Sequence, residues 1–82
     1  MVRIEFLGLA RVRFGQTVWE CPAQNVAELI ARMHSRFPQA LPTEQLPAHW
    51  LLCRNGREFL RSPEERLNDG DCILVLPADA GG

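Results

Sequence analysis

Only one segment of the sequence has a clear helical pattern, and it lies between short segments with the alternation of strands. Asn25 can cap the first N–H groups of this helix, with Glu28 at the third helical position. Pro38 ends the helix. One apolar stripe runs along it at three- and four-residue spacing, comprising Val26, Leu29, Ile30, Met33 and Phe37. A chain of 82 residues with one such helix is therefore predicted to pack it against one sheet, in a two-layer α+β domain.

Candidate strands lie at 2–9, 16–21, 50–54, 57–60 and 72–76. Asn55-Gly56 is typical of a two-residue hairpin turn and joins the third strand to the fourth. The last strand is apolar on both faces, as is typical of a strand at the centre of a sheet. With the first and last strands adjacent and parallel, the order of elements predicts a β-grasp (ubiquitin-like) fold, a mixed sheet of about five strands with one main helix. No conformation is predicted for 10–14.

Charge and composition argue against several kinds of partner and chemistry. The formal net charge is −1 without a basic stripe, so nucleic acid is not an expected partner. The sequence shows no signal peptide or transmembrane run, so a cytoplasmic protein without a membrane partner is expected. Cys21, Cys53 and Cys72 lack the spacing of a disulfide framework or zinc site and are expected to be buried thiols. His34 and His49 have no nucleophile or ligand partner at a recognisable spacing, so neither a catalytic nor a metal site is predicted.

The last residues have the character of a tail. Pro77 closes the final strand, and two glycines end the sequence. We therefore predict a domain over 1–77 and a flexible tail over 78–82. Five extended residues span roughly 16–18 Å, and glycine can pass a narrow channel in which a side chain would clash. Ala80 and Gly81 are expected to thread a partner's channel, with the Gly82 carboxylate as the reactive group.

Both ends of the sequence carry a family resemblance. The chain opens with MVRIEFLGLAR and Gly15, and it closes with LNDGD at 67–71, a hydrophobic strand, Pro77 and two glycines. These features resemble the small subunit of molybdopterin synthase, and related ubiquitin-like sulfur carriers share the ending. The resemblance implies a carrier that is not itself an enzyme and binds no cofactor. It also implies an E1-like adenylating enzyme that uses ATP to adenylate the Gly82 carboxylate, which a sulfur donor then converts to a thiocarboxylate. The large, catalytic subunit of molybdopterin synthase would take this sulfur for the molybdenum or tungsten cofactor.

A hydrophobic patch that docks the activating enzyme and the catalytic subunit is also implied by the resemblance. The matching positions in this sequence are Leu7, Leu60 and Leu76. Leu7 is out of phase with the apolar face of the first strand, and Leu76 alternates with the apolar face of the last one. The alternative is that Leu60 and Leu76 complete the core.

Other functions stay open at this point. The chain could carry sulfur for another pathway (thiamine, tRNA thiolation or cysteine), or it could be a protein modifier joined to its targets through Gly82. A third class is a non-catalytic β-grasp interaction module in which the two glycines are incidental. A gain of about 16 Da on activation with ATP and a sulfur source separates both carrier functions from this third class.

Overall fold

One mixed sheet organises the part of the chain that the structure, a computed structural model, describes, residues 1–78. Its strands are β1 (Val2–Phe6), β2 (Val18–Cys21), β3 (Trp50–Arg54), β4 (Glu58–Phe59) and β5 (Cys72–Pro77), and its helices are α1 (Leu9–Phe14) and α2 (Val26–Arg36). The strand order is β2-β1-β5-β3-β4. Strands β1 and β5 are parallel, and the other pairs are antiparallel. The predicted mixed sheet with one main helix is confirmed.

The centre of the sheet is formed by β1 and β5, as predicted from the two apolar faces of the last strand. Ile4 lies beside Ile73 and Phe6 beside Val75 in the parallel register, and all four side chains are fully buried. The N–H of Leu7 donates to the Val75 carbonyl oxygen at 2.9 Å, which extends the pairing beyond β1. Strand β5 is thus hydrogen-bonded on both sides, to β1 and to β3.

Helix α2 covers one face of the sheet through its apolar stripe, of which Val26, Leu29, Ile30 and Met33 are buried. The predicted cap is confirmed, because the N–H of Glu28 donates to Asn25 Oδ1 at 2.8 Å. Such a cap contributes about 1 kcal/mol to stability. The helix ends before Phe37, which is itself buried.

Aromatic side chains fill one end of the core. The rings of Phe6 and Phe14 stack with centroids 4.7 Å apart, and Phe14 also meets Trp50 edge-on at 5.3 Å. Trp19 packs edge-on against Phe37 at 5.1 Å. Both tryptophans therefore serve packing, and such aromatic pairs add about 0.5–1.5 kcal/mol beyond the area they bury.

The segment after β1 differs from the sequence prediction. We expected a strand to Leu9, but β1 ends at Phe6 and α1 begins at Leu9. Gly8 causes the break, since its φ of 58° and ψ of −131° lie outside the strand region. Ala10 and Phe14 are then buried on one side of α1, four residues apart, as one helical face requires.

The predicted hairpin between β3 and β4 forms, but its returning strand begins at Glu58 and not at 57, because Arg54 pairs with Glu58 and three residues lie between them. Asn55 and Gly56 have φ of 53° and 68°, the positive values that a type I′ turn needs at both central positions. The turn also fixes the start of β5, because the N–H of Cys72 donates to Asn55 Oδ1 at 2.9 Å. Cys21 and Cys53 are buried as expected, whereas Cys72 is only half-buried, which corrects the prediction for that thiol.

Candidate functional site

The strand at the centre of the sheet leads directly to the predicted tail. The last described pairing joins the Ala78 N–H to the His49 carbonyl oxygen at 2.9 Å, one residue beyond the domain boundary predicted at 77. The predicted site residues Gly82, Gly81 and Ala80 lie outside the described residues. Four residues follow Ala78 and reach about 13–14 Å when extended. We call the end of the sheet around Ala78 the tail exit.

The face of the sheet turned away from α2 is apolar near the tail exit. Alternate residues of the central strands point toward α2 and are buried, so the residues between them point the other way. Cross-strand pairing aligns Leu51 with Leu76, and Cys53 with both Leu74 and Phe59. Leu7 adjoins Leu76 through the extended β1–β5 pairing. We call this surface the outer face, comprising Leu7, Leu51, Leu74, Leu76 and Phe59.

The structure places the three predicted patch residues in two different environments. Leu7 and Leu76 are half-buried on the outer face. Leu60, in contrast, is 5% exposed and belongs to the core, with its N–H donating to the Leu52 carbonyl oxygen at 2.8 Å. The expectation that the Leu60 side chain faces a partner is therefore wrong. Its neighbour Phe59, which is 44% exposed, occupies the outer face instead.

Sequence reasoning missed Phe59, Leu51 and Leu74 as members of the outer face. The period of two along β3 and β5 could have found Leu51 and Leu74, but not Phe59. The two-residue turn predicted at Asn55-Gly56 would instead set Phe59 beside Leu52, on the core side. In the structure Arg57 is an additional loop residue, so Phe59 pairs with Cys53 and Leu60 lies beside Leu52.

Polar residues occupy the same side of the sheet at the other end of β5. Arg3 Nε donates to the Glu5 carboxylate at 3.0 Å, and this bond holds the pKa of Glu5 below its usual range. The Cys72 thiol donates to the same carboxylate at 3.5 Å. Burial, assisted by this hydrogen bond to Glu5, raises the pKa of the Cys72 thiol. Cys72 therefore stays a neutral thiol at pH 7, which is a poor nucleophile.

Neither helix in residues 1–78 is long and apolar enough to cross a membrane.

The described part of the chain presents two features for a partner, the outer face and the tail exit beside it. The carboxylate that the sequence predicts as the reactive group would emerge at this end of the sheet.

Comparison with solved structures finds chains that match over nearly their full lengths. A chain of the Amycolatopsis orientalis BexX/CysO complex is 27% identical, with a TM-score of 0.78 and 100% of both chains covered. A Pyrococcus furiosus protein assigned as molybdopterin converting factor, subunit 1, is 25% identical, with a TM-score of 0.70 over 93% of this chain and 94% of that one. SAMP1 from Haloferax volcanii is 19% identical, with a TM-score of 0.77 over 99% and 98%.

No protein-family model matches the sequence, and no curated protein does. The structural matches confirm the β-grasp, ubiquitin-like fold. They also confirm the resemblance to ubiquitin-like sulfur carriers, since small proteins of this type are the structural neighbours. In its fold the chain is thus similar to small ubiquitin-like proteins that include CysO, SAMP1 and a molybdopterin converting factor subunit.

Proposed function

We propose that this chain is a sulfur carrier whose Gly82 carboxylate is converted to a thiocarboxylate for molybdopterin biosynthesis. The observation that carries the proposal is the path of β5, which runs through the centre of the sheet to the tail exit beside an apolar outer face. The likeness to the Pyrococcus furiosus molybdopterin converting factor subunit supports the choice of pathway.

The chemistry requires two acyl substitutions at Gly82. In the first, a carboxylate oxygen attacks the α-phosphorus of ATP in an E1-like adenylating enzyme, and pyrophosphate leaves. In the second, hydrogen sulfide ion (HS⁻) attacks the acyl carbon of the adenylate, AMP leaves with its electron pair, and the resulting thioacid loses its proton. The product is a thiocarboxylate, which is itself the nucleophile that the large subunit of molybdopterin synthase would use. The chain acts as a co-substrate in both steps, and its partners supply the catalysis.

The chain's own partly exposed thiol is kept out of this chemistry. Cys72 lies at the start of β5 and Pro77 at its end, a separation of about 17 Å along the strand. A raised thiol pKa keeps Cys72 protonated, so it competes poorly with the incoming sulfur nucleophile for the activated acyl carbon.

The outer face is the proposed docking surface for both enzymes. Leu7 and Leu76 keep the role that the family resemblance implies, and Phe59 takes the place of Leu60. An apolar patch of this kind on a small domain favours an interface. Because the patch adjoins the tail exit, docking on it would bring Gly82 within reach of a neighbouring active site.

Intact mass spectrometry tests the proposal. The mass of the protein purified from its native host first establishes whether Gly82 is the terminal residue. Incubation with the cognate E1-like enzyme, MgATP and sulfide should then add about 16 Da, the exchange of one oxygen for sulfur. Gly82→Ala is the matched control, expected to keep the wild-type melting temperature but to load poorly. Absence of the gain in the wild type would favour the interaction module over both carrier functions.

A second candidate is delivery of sulfur to an acceptor other than molybdopterin, such as one in thiamine, tRNA thiolation or cysteine synthesis. The full-length match at 27% identity to a chain of the BexX/CysO complex favours it, because this match exceeds the one to the Pyrococcus furiosus protein in identity and coverage. Mixing the thiocarboxylated chain with the molybdopterin synthase large subunit and its pterin substrate separates the two. Loss of the added mass supports the molybdopterin pathway, and retention supports the second candidate.

A further inference from the structure

A cavity of about 560 Å³ opens at the tail exit. Its walls come from α1, from the loop that precedes β3 and from the end of β5, where Ala78 lines it. Its volume lies in the range of 300–1,000 Å³ that is typical of ligand pockets. The cavity is separate from the outer face, because none of the five outer-face residues lines it.

The apolar walls of this cavity are held in place by the fold. The Trp50 indole N–H donates to the Ala40 carbonyl oxygen at 3.2 Å, which fixes the ring in the wall. Phe14 packs edge-on against the same ring at 5.3 Å. Pro77 forms another wall and belongs to the central strand β5. The cavity is therefore preformed, and an occupant would not have to order its walls.

The exposed side of helix α1 adjoins the mouth of the cavity. Leu9, Val12 and Arg13 lie at i, i+3 and i+4, so they are neighbours on the exposed side of α1. Leu9 is 50% exposed and Val12 is 74% exposed. Leu9 and Arg13 also line the cavity.

Arg13 gives the lining of this cavity its one formal charge. None of the residues that line the cavity carries a carboxylate. The sequence has no acidic residue between Glu5 and Glu20. Within residues 1–78, no carboxylate lies within ion-pair distance of Arg13, whereas Arg54 at the opposite end of the sheet pairs with Glu58 and Asp71.

We propose that this cavity and the exposed face of α1 form a second docking surface, which binds an acidic segment bearing an apolar side chain. The segment would belong to the protein that receives the tail, and in this respect the inference rests on the proposed function. Arg13 pairs with the carboxylates, and the wall of Trp50 and Pro77 receives the apolar group. A small molecule would fill the cavity but leave Val12 uncovered, so a polypeptide fits the whole surface better.

Peptide titration of the ¹⁵N-labelled full chain tests this surface without any sulfur chemistry. The probes are an acidic hexapeptide, acetyl-EDLFDE-amide, and its neutral counterpart, acetyl-QNLFNQ-amide. The acidic peptide should shift the Trp50 indole N–H signal saturably, because that indole lines the cavity. The Trp19 indole signal is the internal control, since Trp19 packs against Phe37 and does not line the cavity.

Two charge reversals supply the matched variants. Arg13→Glu should weaken binding of the acidic peptide by about fivefold or more, as expected for reversal of one exposed charge. Arg57→Glu makes the same charge change in the hairpin turn at the opposite end of the sheet and should leave binding unchanged. An unchanged backbone spectrum outside α1 shows that the Arg13→Glu chain is folded.

Several outcomes would overturn the inference. One is equal binding of the neutral peptide, and another is a response at Leu74 and Leu76 in place of Trp50. Saturation of the same signals by inorganic phosphate with equal affinity would indicate an anion site. Tighter peptide binding by a chain lacking 79–82 would assign the cavity to the chain's own tail, which contains Asp79. The mass gain at Gly82 is measured separately, so either proposal can fail while the other stands.

Discussion

The stability of a Leu60→Ala variant distinguishes between two assignments of this residue. The sequence assigns Leu60 to a partner interface, whereas the structure places it in the core. Leu60 is 5% exposed and packs in the core cluster. The change removes three carbon atoms, worth about 2.4 kcal/mol at ~0.8 kcal/mol per methylene. The cavity that remains raises the expected loss to about 3 kcal/mol, within the usual range for buried leucines. That is a large part of the 4–12 kcal/mol expected for a domain of this size.

The expected fall in melting temperature follows from chain length. An unfolding entropy of about 2.1 cal/mol/K per residue gives roughly 0.17 kcal/mol/K for 82 residues. A loss of about 3 kcal/mol therefore lowers the melting temperature by about 17 °C. Urea unfolding followed by the fluorescence of Trp19 and Trp50 measures the free energy, and a thermal scan measures the midpoint.

Phe59→Ala is the matched control for this experiment. Phe59 precedes Leu60 in the chain but is 44% exposed on the outer face, so its removal should cost about 1 kcal/mol or less. The same variant should weaken binding to the activating enzyme if the outer face docks it. A Leu60→Ala protein as stable as Phe59→Ala would refute the core assignment and restore Leu60 to the predicted patch.

Two further predictions concern the backbone and pH. Gly8→Ala should lower the free energy of unfolding by about 1–3 kcal/mol, because Gly8 has φ of 58° and a residue with a Cβ is strained there; a wild-type midpoint in urea would contradict this. Glu65 accepts hydrogen bonds from the N–H groups of Ser62 and Arg61, which hold its pKa below the usual range. Its stabilising effect is then present at neutral pH and is lost as pH falls through the folded-state pKa. Glu65→Gln should therefore unfold at lower urea than wild type at pH 7 but not at pH 2, and an equal difference at both pH values would exclude the carboxylate as the cause.

Local signals in the sequence were sufficient for much of the fold. Asn25 and Pro38 bound α2 through backbone chemistry that involves only neighbouring residues. The turn at Asn55-Gly56 has the same local origin. The central position of β5 was readable because a strand with two apolar faces needs cover on both.

The rest depended on contacts between distant residues. Helix α1 has only two buried residues, too few for a recognisable stripe, and it packs because Phe14 meets Phe6 and Trp50. Leu60 and Phe59 are both apolar, so composition does not show which one faces the core. Their assignment requires the β3–β4 register. The cavity at the tail exit likewise forms only when α1 and the loop before β3 come together.

The pairing of β5 has a mechanical consequence for any enzyme that draws on the tail. Traction on residues beyond Ala78 is applied along β5, parallel to β1 on one side and antiparallel to β3 on the other. The hydrogen bonds of both ladders lie across the direction of pull, so they share the load and would have to yield together. A tail attached to an edge strand would be held by one ladder only. If a partner pulled on the end of the chain, this double anchorage would keep the domain from deforming.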